Sequence, residues 1–321
     1  MYSLGIEGTA HTVSVGIVDE NCNVLANQSA NYFPKEGIHP RKAVEHHAEA
    51  IPKLITTALK EAKLTIKDID VISFSKGPGI QPCLRLTATI ARTIAINHKK
   101  PIIGVNHCIA HVEIGKKKTG AKDPIILYVS GGNTQVIGFA QNRYRVFGET
   151  IDIAIGNSID KFARFCDLGF PGGPIVEKLA KKGKFQELPY KVKGMDFSFS
   201  GIAVELERRY KKGANINDLC YSFQETVFAM LTESVERALA HTEKTEVLLT
   251  GGVAQNKRLQ QMLKIMAKER GCKYFAVPKE YAGDNGAMIA WAGMIKHKNK
   301  KHDQLKDTKI IRDWRIDEVI L

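Results

Sequence analysis

The chain has 321 residues, of which 44% are hydrophobic and 25% charged, a balance typical of a globular protein with two domains. No apolar stretch is long enough to cross a bilayer, and the start MYSLGIEGTA does not have the form of a signal peptide. We therefore expect a soluble, cytoplasmic protein with no membrane partner. The six cysteines have irregular spacing, which favours reduced core thiols over a disulfide framework.

The formal net charge of +13 comes largely from lysine and arginine clusters. Such an excess favours a polyanionic partner such as a nucleic acid, because it raises the local concentration of phosphates. Lysine runs are also common on plain solvated faces, and neither an interleaved aromatic pattern nor a named RNA-binding motif is evident. The charge therefore indicates a nucleic-acid partner without identifying it.

The two halves of the chain share one pattern. Residues 3–30 and 125–152 align without gaps, so that Gly16 falls on Gly138 and Val24 on Val146. Each segment has the pattern of an apolar strand, a turn of small residues and two further strands, which predicts a three-stranded antiparallel meander. The sequence therefore predicts a duplication.

Similar elements follow each meander. In the first half the sequence predicts a helix over 40–63, a buried strand over 70–75, a helix over 82–98 and a strand over 101–105. In the second half it predicts helical segments over 156–183 and 216–241, a buried strand over 246–250, a helix over 256–270, a strand over 273–277 and a helix from Asp284. This order predicts a duplicated α/β fold with two lobes.

We expect the N-terminal lobe over 1–118 and the C-terminal lobe over 119–295. Residues 185–212 have no counterpart in the first half and are interpreted as an insertion. Residues 296–321 form a basic tail, expected to be a surface arm or a linker.

Three turns of small residues end strands of the predicted repeat. They are Glu7 to Ala10, Ser130 to Asn133 and Thr250 to Ala254. Glycines in such turns let backbone amides approach a phosphate closely, and a turn that opens a helix adds the favourable end of its dipole. One such turn is a weak signal, but three in a duplicated fold predict a nucleotide in a central cleft.

A second group of residues has the chemistry of a metal site. His107 and His111 are separated by one helical turn, which places both imidazoles on one face. Asp284 ends the second repeat in the equivalent place, and Tyr128 ends the first strand of that repeat. Two histidines, a carboxylate and a tyrosine oxygen suit one ion of iron or zinc and leave a position for substrate.

Two other interpretations of the histidines carry less weight. A metalloprotease helix has its general base directly after the first histidine, and Cys108 cannot serve as that base. His46 and His47 are adjacent on a predicted helix, so they point in different directions and are interpreted as near-surface residues.

Nine segments with long, specific motifs are spread over about residues 3–295. They are GIEGTAHT (5–12), SKGPG (75–79), NHCIAH (106–111), YVSGGNTQV (128–136), ETIDIAIGNSIDKFAR (149–164), PGGP (171–174), VKGMDFSFSG (192–201), LTGGVAQN (249–256) and GDNGAMIAWAG (283–293). Together these segments resemble the universal tRNA threonylcarbamoyladenosine synthase family. The archaeal and eukaryotic cytosolic version of this family is the catalytic subunit of the KEOPS complex, and the bacterial relative is TsaD.

The resemblance implies the ASKHA fold of actin and sugar kinases, with a nucleotide and a metal in the cleft between two lobes. It implies transfer of threonylcarbamoyl from threonylcarbamoyl-AMP to N6 of the adenosine 3′ of the anticodon, in tRNAs that read ANN codons. It implies metal ligation by His107, His111, Tyr128 and Asp284. It also implies adenylate binding, or ATP binding, by Tyr128, Val129, Ser130, Gly131, Gly132, Asp160, Gly173, Glu177 and Asn256.

The resemblance implies KEOPS-type partners, among them a small kinase-like ATPase and a small dimerising subunit. Because the sequence ends at Leu321, the kinase is expected to act in trans. The sequence does not identify the group that accepts the proton of the adenosine amine, and Glu7 is a candidate. The alternatives are an ASKHA small-molecule phosphotransferase and a non-enzymatic ATP-binding module. A binding module has no evident use for the His107/His111 pair.

Overall fold

The computed structural model describes residues 1–32, 34 and 37–319. The first half of the chain folds in the predicted order of strands and helices. Its elements are β1 (Tyr2–Glu7), β2 (Thr12–Asp19), β3 (Val24–Asn31), α1 (Pro40–Ala62), β4 (Val71–Gly77), α2 (Gln81–Asn97), β5 (Ile102–Asn106) and α3 (His107–Thr119).

The second half repeats this order with additional helices and a small hairpin. Its elements are β6 (Ile125–Val129), β7 (Thr134–Ala140), β8 (Arg143–Glu149), α4 (Ile155–Phe165), α5 (Gly172–Ala180), β9 (Val192–Lys193), β10 (Asp196–Phe197), α6 (Ser200–Lys211), α7 (Ile216–Thr242), β11 (Glu246–Thr250), α8 (Lys257–Glu269), β12 (Lys273–Ala276), α9 (Lys279–Ala282) and α10 (Gly286–Lys298). Short 3₁₀ segments cover Ile66–Asp68, Gly252–Gln255, Leu305–Asp307 and Ile316–Glu318.

Strand order confirms the duplication. One five-stranded sheet has the order β3-β2-β1-β4-β5, and the other has the matching order β8-β7-β6-β11-β12. In each sheet the first strand pairs antiparallel with the second and parallel with the buried strand that follows the meander. The fold is therefore α/β, and it has the duplicated arrangement of strands expected of the ASKHA type.

Contacts divide the chain into two compact units. The first consists of Met1–Lys117 and Asp284–Val319, and the second of Lys118–Gly283. The last helix of the chain, α10, thus packs on β1 and β2 of the first unit. The predicted C-terminal lobe over 119–295 includes this helix because sequence order alone assigns it to the second repeat.

The described part of the basic tail, which was expected to be an arm or a linker, lies against the first unit. Asp303 accepts a hydrogen bond from the Gly104 amide at 2.7 Å, and the Ile311 amide donates to the Lys76 carbonyl at 2.9 Å. Asn106, just before α3, donates to the carbonyl of Trp314 at 3.1 Å. These contacts fix the segment after α10 along the edge of the first sheet.

Each unit has its own apolar core. In the first, α1 places Ala43, Ile51 and Ala58 on one buried stripe against the sheet, at the spacing that a helix face requires. In the second, the long helix α7 is buried along most of its length. Five of the six cysteines are buried, as expected of core thiols. Among the described residues, no helix combines the length and apolarity needed to span a membrane.

Helix α10 approaches the first sheet so closely that only glycine fits at the contact. A Cβ atom at Gly16 of β2 would lie 2.2 Å from the amide nitrogen of Ala287, and one at Gly5 of β1 would lie 2.2 Å from that of Ala290. The atoms that a Cβ would meet belong to the helix backbone, which cannot rotate away. Glycine in the two strands therefore sets how deeply α10 docks.

We predict that Gly16→Ala lowers the free energy of unfolding by about 3 kcal/mol, since it overpacks a rigid contact. Urea denaturation measures the change. Gly201→Ala is the matched control, because a Cβ there meets no described atom within 4 Å. The control should stay within about 1 kcal/mol of the parent protein. Equal stability of the Gly16 variant and the parent would contradict the packing argument.

Candidate metal centre and nucleotide turns

The predicted helix at the histidine pair is present. α3 begins at His107, and the side chain of Asn106 accepts hydrogen bonds from the amides of Cys108 at 3.0 Å and Ile109 at 3.1 Å. An asparagine in this position satisfies amides that would otherwise lack partners at the helix start. The cap therefore fixes where α3 begins and how its first turn is oriented.

His107, His111 and Asp284 come together within the first unit. The Nε2 atoms of His107 and His111 lie 3.4 Å and 3.2 Å from the same oxygen of Asp284, Oδ1. One possible ligand atom from each residue falls within a group no wider than 4.8 Å. Ligands on a tetrahedral ion with bonds of about 2.0 Å are about 3.3 Å apart. The three residues therefore fit one ion, and imidazole with carboxylate suits iron or zinc.

Asp284 reaches the histidines because α10 is anchored on the first sheet. The Gly286 amide donates to the Ser14 hydroxyl at 2.9 Å, and the Ala287 amide donates to the Asn27 side chain at 3.2 Å. Asn285 caps α10 by accepting from the Met288 amide at 2.9 Å. The short segment before α10 is thus held in place, and Asp284 with it.

Glu7 lies behind His107 on the side opposite Asp284. Its Oε2 atom lies 3.1 Å from Nδ1 of His107, and its Oε1 atom accepts from the amide and the hydroxyl of Thr9 at 2.8 and 2.6 Å. Glu7 is fully buried. Because Nδ1 donates to Glu7, Nε2 is the nitrogen available to an ion, as in carboxylate–histidine–metal arrangements. This favours an orienting role for Glu7 over the proton acceptance considered from sequence.

The turn that carries Glu7 is held by Ser75 and His47, neither of which the sequence analysis assigned to it. The Gly8 amide donates to the Ser75 hydroxyl at 3.1 Å. Nε2 of His47 donates to the Ala10 carbonyl at 3.0 Å, and His47 is fully buried rather than near the surface. Burial lowers the pKa of His47 to about 4, so its imidazole is neutral at physiological pH. His47 lies four residues after Ala43 and four before Ile51, and this helical spacing was the sequence signal that its side chain faces inward.

The charges of the centre are set by burial and by pairing. Burial disfavours a charge on His107, but the carboxylates of Glu7 and Asp284 outweigh it and hold the His107 pKa well above its ordinary value. Burial raises the pKa of a carboxyl group, yet the cationic His107 holds that of Asp284 well below the usual range. Burial lowers the pKa of His111, although its hydrogen bond with Asp284 opposes this. These interactions therefore favour the cationic form of His107, with a proton on each ring nitrogen, when no ion is bound.

The predicted nucleotide residues lie in the second unit around the β6–β7 turn. Ser130 closes this turn, since its amide donates to the Asn133 carbonyl at 2.8 Å and its hydroxyl accepts from the Asn133 amide at 3.0 Å. The first turn of α4 packs on it, with the Gly156 amide donating to the Ser130 carbonyl at 3.2 Å. A side chain at Gly132 would meet no described atom within 4 Å. Open space there leaves the backbone accessible to a ligand.

A second turn approaches the same strand. Gly251 has φ of +99°, and a Cβ there would lie 2.2 Å from the Val129 carbonyl, so glycine is required by both conformation and space. Side chains at Gly252 and at Gly173, by contrast, would meet no described atom within 4 Å. Among the residues predicted to surround the nucleotide, Gly132, Gly173 and Gly252 thus leave bare backbone facing open space, as close approach of a phosphate or ribose requires.

The polar residues predicted to bind the adenylate support these turns. Asp160 accepts from the Gly172 amide at 2.8 Å, and Glu177 accepts from the Lys257 amide at 2.9 Å. Asn256 caps α8, accepting from the Arg258 amide at 2.9 Å, while its amide group donates to Gln224 at 2.9 Å. These contacts hold α5 and α8 in place. The adenylate contacts themselves remain a prediction.

Tyr128 is placed by the strand that carries it. It is fully buried in β6 and pairs with Gln135 on one side and Thr250 on the other. It thus lies directly before the β6–β7 turn, where the sequence analysis placed it. Its roles as a ligand of the ion and as a nucleotide contact remain predictions.

Comparison with known proteins gives the family. The model of the TsaD family, described as tRNA N6-adenosine threonylcarbamoyltransferase, matches residues 22–291. The chain belongs to this family. A protein of that name from Archaeoglobus fulgidus is 54% identical over 99% of the chain and 98% of its own length. A probable bifunctional tRNA threonylcarbamoyladenosine biosynthesis protein from Methanobrevibacter smithii is 57% identical over 98% of the chain, which spans 59% of that relative.

Several bifunctional relatives are therefore much longer than this chain, which spans about three-fifths of their length.

Some solved structures have a similar fold although they share little sequence with this chain. HypF of T. kodakarensis has a TM-score of 0.67 at 15% identity over 96% of the chain and 49% of HypF. Component A of (R)-2-hydroxyglutaryl-CoA dehydratase from Acidaminococcus fermentans has a TM-score of 0.58 at 14% identity, over 93% of the chain and 99% of its own. This likeness is one of ASKHA fold alone.

We predict that Glu7→Gln weakens Zn²⁺ binding by about 10- to 100-fold, because the neutral amide no longer fixes His107 or enhances its basicity. Competition with a chromogenic chelator measures the affinity. Glu49→Gln, on the exposed face of α1, is the matched control and should bind Zn²⁺ like the parent protein. An unchanged affinity of the Glu7 variant, with folding intact by circular dichroism, would rule out the orienting role.

We predict that the affinity for a divalent ion rises with pH. The His107 pKa is raised above 6.5 in the protein without an ion, so a proton on Nε2 competes with the metal up to that raised value. Binding should therefore release a proton, while the proton on Nδ1 stays with Glu7. Titration calorimetry in buffers of different ionisation enthalpy counts the released protons. An affinity that is constant with pH, and no proton release, would contradict this charge assignment.

Proposed function

We propose that this chain is a tRNA N6-adenosine threonylcarbamoyltransferase. It transfers the threonylcarbamoyl group from threonylcarbamoyl-AMP to N6 of the adenosine 3′ of the anticodon, in tRNAs that read ANN codons. Membership of the TsaD family, with relatives of that name at 54–56% identity, supports the activity. The observation that carries it is the His107/His111/Asp284 group, because a plain nucleotide-binding switch has no evident use for it.

The chemistry asks little of the protein beyond positioning and charge stabilisation. The adenylate is a mixed anhydride, so its carbonyl carbon is already activated. The N6 amine attacks that carbon, a C–N bond forms, the C–O bond to phosphate breaks, AMP leaves with the electron pair, and N6 loses a proton. Holding the two reactants in line accounts for a large part of such a rate enhancement.

The second unit supplies the nucleotide contacts in this proposal. Amides of Gly131 and Gly132 donate to the phosphate, whose charge grows as AMP departs. The carboxylates of Asp160 and Glu177 accept from ribose hydroxyls, and Asn256 faces the base or sugar edge. The open space at Gly132, Gly173 and Gly252 supports this assignment. Tyr128 and Val129 end the strand that presents the turn.

The first unit supplies three ligands of one divalent ion, with iron favoured and zinc as the alternative. His107, His111 and Asp284 would hold it, with Tyr128 as a predicted fourth ligand. When bound, the ion supplies Lewis-acid stabilisation of negative oxygen atoms. Glu7 keeps the proton of His107 on Nδ1, and the Asn106 cap fixes the first turn of α3. We further propose a cytoplasmic location and KEOPS-type partners, including a kinase-like ATPase and a small dimerising subunit.

We predict that the purified chain, with threonylcarbamoyl-AMP, tRNA and any partner subunits it requires, forms threonylcarbamoyladenosine. Mass spectrometry of nucleosides from digested tRNA detects the product. His111→Ala should reduce the yield by about 100-fold or more, since it removes one of three ligands. A full yield from the variant would remove the metal group from the mechanism. Phosphorylation of a small acceptor by the chain without tRNA would favour the phosphotransferase alternative instead.

A further inference from the structure

A group of exposed cations and aromatic rings follows α5 in the second unit. The lysines Lys178, Lys181, Lys182 and Lys184 are all exposed. Phe185 is 57% exposed and Tyr190 50% exposed. We call this set of six exposed residues the Lys178–Tyr190 patch. The sequence analysis found no interleaved aromatic pattern, but the structure leaves two aromatic side chains of the segment that follows the lysines exposed to solvent.

The backbone of this patch is fixed although its side chains face solvent. The Lys184 amide donates to Asp218 at 2.8 Å, and the Gln186 amide donates to the Ser222 hydroxyl at 2.8 Å. Arg209 donates to the Glu187 carbonyl at 2.8 Å. Helices α6 and α7 thus hold the segment on both sides of Phe185. A fixed backbone with exposed side chains loses little conformational entropy when it binds a partner.

The lysines of the patch are available to an external anion. Nearby Arg208 and Arg209 are each paired with Glu205 at 2.7 Å. Within the described residues, by contrast, no ion pair involves the four lysines of the patch. The hydroxyl of Tyr190 donates to Glu233, which fixes the direction of its half-exposed ring. The patch therefore offers lysines outside the described ion pairs and two exposed aromatic rings.

The patch lies at the other end of the helix that carries Gly173. α5 spans Gly172–Ala180, with nine residues. At about 1.5 Å per residue, Gly173 lies about 10 Å from the end of the helix at Ala180, where most of the patch begins. A few nucleotides of an RNA strand cover that distance. An RNA loop with one base near the nucleotide turns could therefore place its next nucleotides on the patch.

We propose that the Lys178–Tyr190 patch binds unpaired nucleotides of the tRNA substrate, with Phe185 stacked on a base and the lysines on phosphates. This rests on the proposed function, which makes tRNA the partner. Aromatic side chains bind splayed bases of single-stranded RNA, while cations follow its backbone. An anionic membrane surface fits less well, because it requires a broader apolar face than two separate rings.

The test compares tRNA affinities at several salt concentrations, using fluorescence anisotropy with labelled, unmodified tRNA. Phe185→Ala should weaken binding about tenfold, and Phe185→Trp should preserve or strengthen it, because stacking depends on the ring. The triple change Lys181→Ala, Lys182→Ala and Lys184→Ala should make the slope of log affinity against log salt shallower, by about 0.7 for each phosphate that the variant no longer neutralises.

The matched controls lie on α8, where Ile265 is 47% exposed and Lys264 and Lys268 are exposed. Ile265→Ala and the double change Lys264→Ala and Lys268→Ala should leave both affinity and salt slope unchanged. A fully paired RNA duplex should compete poorly. The proposal is overturned if the patch variants bind tRNA like the parent, if the duplex competes as well as tRNA, or if the parent itself binds no tRNA.

Nucleoside analysis of the same proteins, in reactions with threonylcarbamoyl-AMP, tRNA and any partner subunits they require, separates this proposal from the proposed function. If the parent protein binds tRNA through the patch but forms no threonylcarbamoyladenosine, the proposed function fails and the patch stands. If the parent modifies tRNA while the patch variants keep its affinity and salt slope, the patch proposal fails and the function stands. If the Phe185→Ala defect appears equally with anionic lipid vesicles as the ligand, the assignment to RNA is wrong.

Discussion

The chemistry of the first unit depends on one carboxylate oxygen that two imidazoles share. Oδ1 of Asp284 lies within 3.4 Å of Nε2 of both His107 and His111. The histidines come from one helix and the aspartate from a distant part of the chain, so the arrangement requires α10 to dock on β1 and β2. Glycines at the contact allow a backbone-to-backbone approach that any side chain would prevent. The glycines thereby determine the ligand geometry.

Burial makes unpaired charges in this group energetically costly. Charged groups away from water are stable only when they are paired and hydrogen-bonded, and each member here has such a partner. Glu7 and Asp284 stabilise a proton on His107, and a divalent ion at the same place would take over that positive charge. The group is therefore suited to exchange a proton for a metal without leaving its carboxylates uncompensated.

The second unit has a sheet of matching strand order, but the turns at its strand ends carry different residues. Its turns present bare backbone where the first unit presents buried acid and imidazole. Asp160, Glu177 and Asn256 hold backbone amides around these turns, so they stabilise the local geometry whatever else they bind. Helices α4 to α6 and the small hairpin are additions to the repeat, whereas α7 precedes the buried strand as α1 does in the first half. The segment that carries Phe185 is fixed by α6, which is an addition, and by α7, which belongs to the repeat.

The sequence by itself determined the duplication, the order of strands and helices, and the local pairing of His107 with His111, because periodicity and turn residues act over short distances. The motifs also identified the family. The tertiary structure alone decided that α10 and the tail pack with the first unit, that Glu7 orients His107, and that His47 is buried. It alone showed that the Phe185 side chain is exposed while the backbone on either side of it is hydrogen-bonded. These features depend on contacts between residues far apart in the chain, and a helix or strand pattern contains no information about which distant surface it will meet.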